Sequence, residues 1–272
     1  MRHIVWCCAL FALSIFAVES RAGAADLRQL DPANPEIWGT DDFQLAISNQ
    51  GTIRAVQVKG KEVIAQALAL YTFPVPPGTE KSVRCVQGEG FGAGPGGEQP
   101  KPQVREEDGK RIFEYDRVIG TSQILEGHPL CKVHEQLIVT PKGEIHVLYE
   151  FEWMETVRWD SFGQFIMFNE ENCRDREYQI KVKEQFFTGK LDNGPITERQ
   201  IRFMPFDQLT IRTDLGPVQY VWEAPSQASF YWATGLIQLH IAPPIVPTTP
   251  GSIFKGQKDR MAFRILLPVP QQ

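Results

Sequence analysis

The sequence predicts an all-β protein, a large antiparallel β-sandwich with few or no helices. Three observations carry this. Apolar residues recur with a period of two through most of the chain. Glycine, proline, asparagine and aspartate interrupt those runs at short intervals. No stretch of about ten residues shows the 3.6-residue period of an amphipathic helix. Short strands separated by turn residues suit a sandwich or barrel of antiparallel strands.

The first segment stands apart from this pattern. Met1-Arg2-His3 is basic, Ile4 to Val18 is apolar except at Ser14, and Ala22-Gly23-Ala24 is a small-residue cleavage signal. That order of regions predicts a secretory signal peptide over residues 1–24. The apolar run is shorter than the roughly 20 residues of a spanning helix. Cys7 and Cys8 lie inside it rather than after it, which speaks against a lipoprotein. The expected location is periplasmic, cell-envelope or extracellular. Residues 25–272 are expected to form one β-sandwich domain, long enough to bury a core without disulfide staples.

Charge and cysteine usage exclude several partners. The chain has 28 basic and 33 acidic residues, a net charge of −5, with no cluster of lysine and arginine. Nucleic acid is therefore not an expected partner, and anionic membrane surfaces are disfavoured. No stretch after the leader is apolar enough to cross a bilayer. Outside the leader the cysteines are Cys85, Cys131 and Cys173, far apart and without CxxC spacing, so neither a zinc ribbon nor a redox motif is indicated. Two readings of them stand: one disulfide plus an odd thiol, or buried thiols acting as small apolar residues.

Taken in order, Asp26 to Trp38 is polar and proline-bearing, an extended lead-in. Phe43 to Ile64 contains FQLAISN, TIRAVQV and KEVI, separated by turns at Gln50-Gly51 and Lys59-Gly60-Lys61. Leu68 to Phe73 is a further short strand, closed by Pro74, Pro76 and Pro77. Gln87 to Lys110 is rich in glycine and proline with little to bury, so it reads as a loop or lid over about 87–110. From Arg111 the β pattern resumes in RIFEYDRVI, SQILEG, GQFIMF, YQIKVKEQFF, TERQIRFMPF, QLTIRTD, VQYVWEA, ASFYWA, LIQLHIAP and RMAFRILLPV. Glu170 to Gln179 is polar all round, a loop or a single turn. Asp192-Asn193-Gly194-Pro195 is a strong turn.

The clearest element is a hairpin from His134 to Trp153. Ile145, Val147, Tyr149, Phe151 and Trp153 share one face, which is expected to be core. Glu144, His146, Leu148, Glu150 and Glu152 share the other. The short Pro141-Lys142-Gly143 loop puts His134 across from Glu150 as a cross-strand neighbour.

The opening FQLAISNQGTIRAVQVKGKEVI and the closing GQKDRMAFRILLPV resemble the first and last strands of the galactose-mutarotase-like β-supersandwich. The resemblance implies a supersandwich and carbohydrate recognition on a concave sheet face. It covers epimerases, lyase and hydrolase domains, and non-catalytic modules. The mutarotase branch uses a histidine pair and a carboxylate. His128, His134, His146 and His240 match none of its histidine motifs residue by residue, which leaves mutarotase activity itself unsupported.

Candidate chemistry gathers around the hairpin. Glu150 and Glu152 leave one strand face roughly 6–7 Å apart, and paired carboxylates divide into acid and base when their surroundings differ. His146 shares that face, and His134 faces Glu150, a pairing suited to proton transfer or to half a metal site, for which no third ligand stands out. These give a catalytic set of Glu150, Glu152 and His146. A second set follows the strand, in METVRWDSF. Trp153, Arg158, Trp159 and Asp160, with His134, combine aromatic surface with hydrogen-bonding groups, as a polar ligand requires. Trp222, Tyr231 and Trp232 offer the same aromatic chemistry. No nucleophile elbow, zinc-protease motif or phosphate loop is present, and GEGFGAGPGG is followed by Glu and Pro rather than a helix. No cofactor or metal is expected. The leading reading is an exported carbohydrate-binding β-sandwich. A sugar-active enzyme using the strand carboxylates, and a structural or interaction protein of the cell envelope, are the alternatives.

Overall fold

The computed structural model describes residues 36–47, 53–75, 80, 85–86, 101–119, 130–168, 170–192, 200–233, 236–242 and 251–269. These residues form an all-β molecule. Its strands are β1 (Glu36–Gly39), β2 (Phe43–Ile47), β3 (Ile53–Val58), β4 (Lys61–Val75), β5 (Cys85–Val86), β6 (Gln103–Glu107), β7 (Lys110–Ile119), β8 (Cys131–Val139), β9 (Glu144–Trp153) and β10 (Val157–Met167). One helical turn, α1 (Glu170–Cys173), separates these from β11 (Glu177–Val182), β12 (Gln185–Lys190), β13 (Gln200–Thr213), β14 (Gly216–Ala233), β15 (Leu236–Ala242), β16 (Gly251–Ile253) and β17 (Lys258–Leu266). The turn at α1 is the single turn that Glu170 to Gln179 predicted. The signal peptide and the turn at Asn193 to Pro195 lie outside the described residues.

All pairings are antiparallel. The largest sheet runs β6–β7–β8–β9–β17–β14–β13–β11–β12. A second ribbon runs β14–β15–β10–β4–β5, and a third β1–β2–β3–β4. Three strands serve two neighbourhoods. The first half of β4 pairs with β3 and its second half with β10. The C-terminal half of β13 and N-terminal half of β14 lie in the large sheet; their other halves pair with each other beyond it, and there β14 also pairs with β15.

That continuity corrects several expected strand breaks. KEVI and Leu68–Phe73 are one strand, as are TERQIRFMPF with QLTIRTD, and VQYVWEA with ASFYWA. Proline does not end these strands, because register shifts absorb it: Pro205 lies beside an irregularity between Phe206 and Gln208. The opposite correction applies to YQIKVKEQFF, which is a hairpin turning at Lys183-Glu184 with Lys183 at φ 54°. The predicted 87–110 loop is shorter at its far end. Gln103–Glu107 is strand β6, joined to β7 by an Asp108-Gly109 turn with both residues at positive φ, the Asp-Gly signal of a tight hairpin.

The core lies between the layers. Phe43, Val56, Phe113, Leu137, Val147, Phe151, Phe206, Tyr220 and Phe263 are all buried in one cluster. Phe168 meets Tyr220 and Phe230 edge to face, and Phe206 meets Trp222 at 4.8 Å. Cys131 and Cys173 are buried free thiols, the second of the two readings for these residues. Burial pushes the Cys173 thiol up to about 12 and the Cys131 thiol higher still, so both stay protonated.

Candidate functional site

The hairpin forms as its alternation dictates. His134 stands opposite Glu150, and Cys131 opposite Trp153. Gly143, at φ 76°, closes the loop, where the Thr140 carbonyl accepts from the Gly143 amide at 3.1 Å. Ile145, Val147, Tyr149, Phe151 and Trp153 are all buried.

The catalytic set falls on the opposite, water-facing side. Glu150 and Glu152 are exposed, and His146 is half-buried. Each has a charged neighbour there. Lys132 lies 3.7 Å from Glu152, Glu144 lies 3.1 Å from His146, and Arg260 on β17 stands opposite Glu150 in the ladder. His134 turns away from Glu150 to share a hydrogen bond with Asp116 at 2.8 Å. Acidic and basic side chains thus alternate along the row Asp116–His134–Glu150–Arg260, across four strands. Water separates such groups cheaply.

The inner side holds an arrangement that was not anticipated there. Arg117 and Glu135 are buried and form an ion pair at 2.9 Å. The Tyr149 hydroxyl donates to Glu135 at 3.0 Å, and the Arg117 guanidinium lies 4.7 Å from the Tyr115 ring centre. Burial first, then the Glu135 charge, raises the Tyr149 hydroxyl well above its ordinary value, so it remains a donor. Next along this face, Trp153 Nε1 donates to Asp259 at 2.7 Å, and Gln257 Nε2 donates to the same carboxylate at 2.9 Å. The sequence signal was present: Arg117, Glu135 and Asp259 each fall on the apolar phase of their own strand. A charge on that phase goes inward with its neighbours.

These contacts fix the rim where β9 runs out. Trp153 is buried rather than exposed for stacking, because its indole N–H has a buried carboxylate to satisfy it. Its backbone accepts from Gly256 at 2.7 Å and donates to Gln257 at 3.0 Å. That clamps a tight turn, Phe254 to Gln257, in which the Phe254 carbonyl accepts from Gln257 and Gly256 has φ 83°. The Lys255 amide donates to Thr156 Oγ1 at 3.1 Å, tying the turn to the start of β10. Phe254 projects from this turn 63% exposed.

Arg158 follows on β10, exposed, opposite Ser252. Its guanidinium donates to the Glu80 carbonyl at 3.3 Å. Arg158 and Ser252 leave one side of the β10–β16 pair, and Phe254 follows two residues past Ser252, in the turn just beyond β16. Trp159 pairs with Pro74 and Ser161 with Phe73, so Asp160 is the extra residue of a β-bulge. Bulges re-aim side chains and recur beside functional sites. The side chains of Trp159, Asp160, Tyr231 and Trp232 lie outside the described residues, while Trp222 is buried. Among the described residues no group of three histidine, cysteine, aspartate or glutamate side chains is placed to hold a metal.

No family profile matches the sequence, and no curated protein does. Solved structures do match the fold. A galactose 1-epimerase from Lactobacillus acidophilus NCFM superposes with a TM-score of 0.55 at 12% identity, over 85% of this chain and 93% of that one. A protein from Synechocystis sp. PCC 6803 superposes with a TM-score of 0.56 at 11% identity, over 87% and 96%. A galactose mutarotase-like protein from Clostridium acetobutylicum matches at 0.50 and 8% identity, over 85% and 97%. The chain therefore has the galactose-mutarotase-like supersandwich fold over the 85–87% of its length that these structures match.

Proposed function

We propose that the protein is an exported carbohydrate-binding β-sandwich whose ligand rests on the rim formed by the end of β9, the start of β10 and the Phe254–Gln257 turn. The observation that carries this is the exposed Phe254 ring, held on a clamped turn two residues past Ser252, which stands opposite the exposed Arg158. An aromatic face stacks on the apolar face of a sugar ring, and a guanidinium donates to its hydroxyls. The likeness of the fold to a galactose 1-epimerase supports a sugar as the ligand class.

Binding is favoured over bond cleavage by where the carboxylates stand. Glu150 and Glu152 share one water-facing strand, each beside a cationic or titratable neighbour, rather than facing one another across a cleft.

The test is affinity electrophoresis through gels containing a panel of soluble polysaccharides. Retardation by at least one of them is expected, with at least a tenfold loss of affinity on Phe254→Ala and a smaller loss on Arg158→Ala. A protein that runs unretarded in every gel sinks the reading. Retardation that survives both substitutions moves the site elsewhere.

A further inference from the structure

The two edges of the nine-stranded sheet are built differently. At one edge, β6 reads QVREE. Arg105 pairs with Glu114 at 2.6 Å, and Glu106 pairs with Arg111 at 2.9 Å. Charges crowded on an edge strand keep other strands from adding to it. At the other edge, β12 reads QFFTGK. Phe186 and Phe187 are 56% and 51% exposed and leave opposite faces of the strand. Among the described residues no strand pairs with the outer side of β12. An edge whose one charged residue, Lys190, stands at its end, flanked above and below by exposed rings, is a template for strand addition.

The turn sets which backbone groups are available. Val182 pairs with Gln185 around the two-residue turn Lys183-Glu184. In such a turn the closing pair is hydrogen-bonded. Gln185, Phe187 and Gly189 therefore bond inward to β11, and Phe186, Thr188 and Lys190 turn their amides and carbonyls outward.

We propose that β12 pairs antiparallel with β12 of a second copy of this chain, about a twofold axis through Phe187. In this register Phe187 faces its own copy, Phe186 faces Thr188, and Lys190 faces Glu184. The outward-turned residues Phe186 and Thr188 meet as a hydrogen-bonded pair, and the basic and acidic flanks meet as opposite charges. Neighbouring registers fail one condition. A shift of one residue pairs inward-bonded with outward-bonded positions. A shift of two in one direction sets Glu184 against Asp192, and in the other it leaves Lys190 facing Val182. The interface is self-complementary, as a twofold contact requires. Its six-residue length puts it among the weaker associations.

Sedimentation across a concentration series tests this directly. The mass is expected to rise from one chain to two. Glu184→Lys weakens the association at least fivefold, and adding Lys190→Glu to it restores the association. Phe187→Cys is expected to form a covalent dimer under mild oxidation, because directly opposed Cβ atoms lie about 4.5–5.5 Å apart. Thr188→Cys, which faces Phe186, forms none. The unsubstituted protein runs beside both as the control. A single-chain mass at every concentration, or equal cross-linking at 187 and 188, overturns the proposal.

Discussion

The two faces of β7–β8–β9 use the same kinds of side chain to different ends. One residue apart on each strand, Asp116 and Arg117, His134 and Glu135, and Glu150 and Tyr149 point in opposite directions. Outside, Asp116–His134 and Lys132–Glu152 are exposed pairs screened by water. Inside, Arg117–Glu135 is sealed beneath aromatic rings. The chemistry of a charge pair is decided by which phase of the strand it occupies. An exposed pair costs little to make or lose. A buried pair has given up its hydration, so removing one partner strands the other.

The largest expected effect is therefore inside. Glu135→Ala leaves Arg117 buried without its carboxylate and removes the Tyr149 acceptor, and is expected to cost about 3–5 kcal/mol in urea unfolding. A loss below about 1 kcal/mol would erase the contrast between the faces. An intermediate effect comes from Glu114, half-buried on the water-facing side. The Arg105 guanidinium, then the Gln136 amide, hold its carboxyl below the usual range. A carboxyl lowered on folding contributes stability above its unfolded pKa, and that contribution disappears as pH falls through the lower folded value. Stability is thus expected to drop between about pH 5 and pH 3, and Glu114→Gln flattens that part of the profile. An unchanged profile would show that Arg105 does not hold this carboxyl. The smallest effect is at Glu152: Glu152→Gln is expected to change stability by less than about 0.5 kcal/mol. A larger loss would mean that the exposed Lys132–Glu152 pair is not screened as a surface pair.

Much of the fold was legible because it is written locally. Period-two alternation and glycine turns placed β2, β3, β8, β9 and β17, and the short loop set His134 against Glu150. The long strands β4, β13 and β14 were read as pieces, because local punctuation says nothing about a strand that continues into a second neighbourhood. The candidate site was partly legible. Arg158, read from the sequence as a ligand-binding candidate, lies exposed at the start of β10. Trp153 is buried, as its apolar phase predicted, so it is not an exposed stacking surface; its partner Asp259, 106 residues away, is beyond the reach of any local pattern. Phe254 was passed over because it sits in a turn, where no alternation assigns it a face. Arg117 and Glu135 were visible as charges on the apolar phase, but a phase argument that reads only the apolar residues overlooks them.

The position of β17 carries a consequence for time rather than space. It lies between β9 and β14, yet follows both in the chain. The hairpins on its two sides can form early from near neighbours. Their union has to wait until residues 258–266 have been made and have found a slot between strands synthesised long before. Such long-range closure is slow. The half-built sheet passes through an interval in which the flanks of β9 and β14 are open. Agents that recognise unpaired strands, whether chaperones or other copies of the chain, have that interval in which to act.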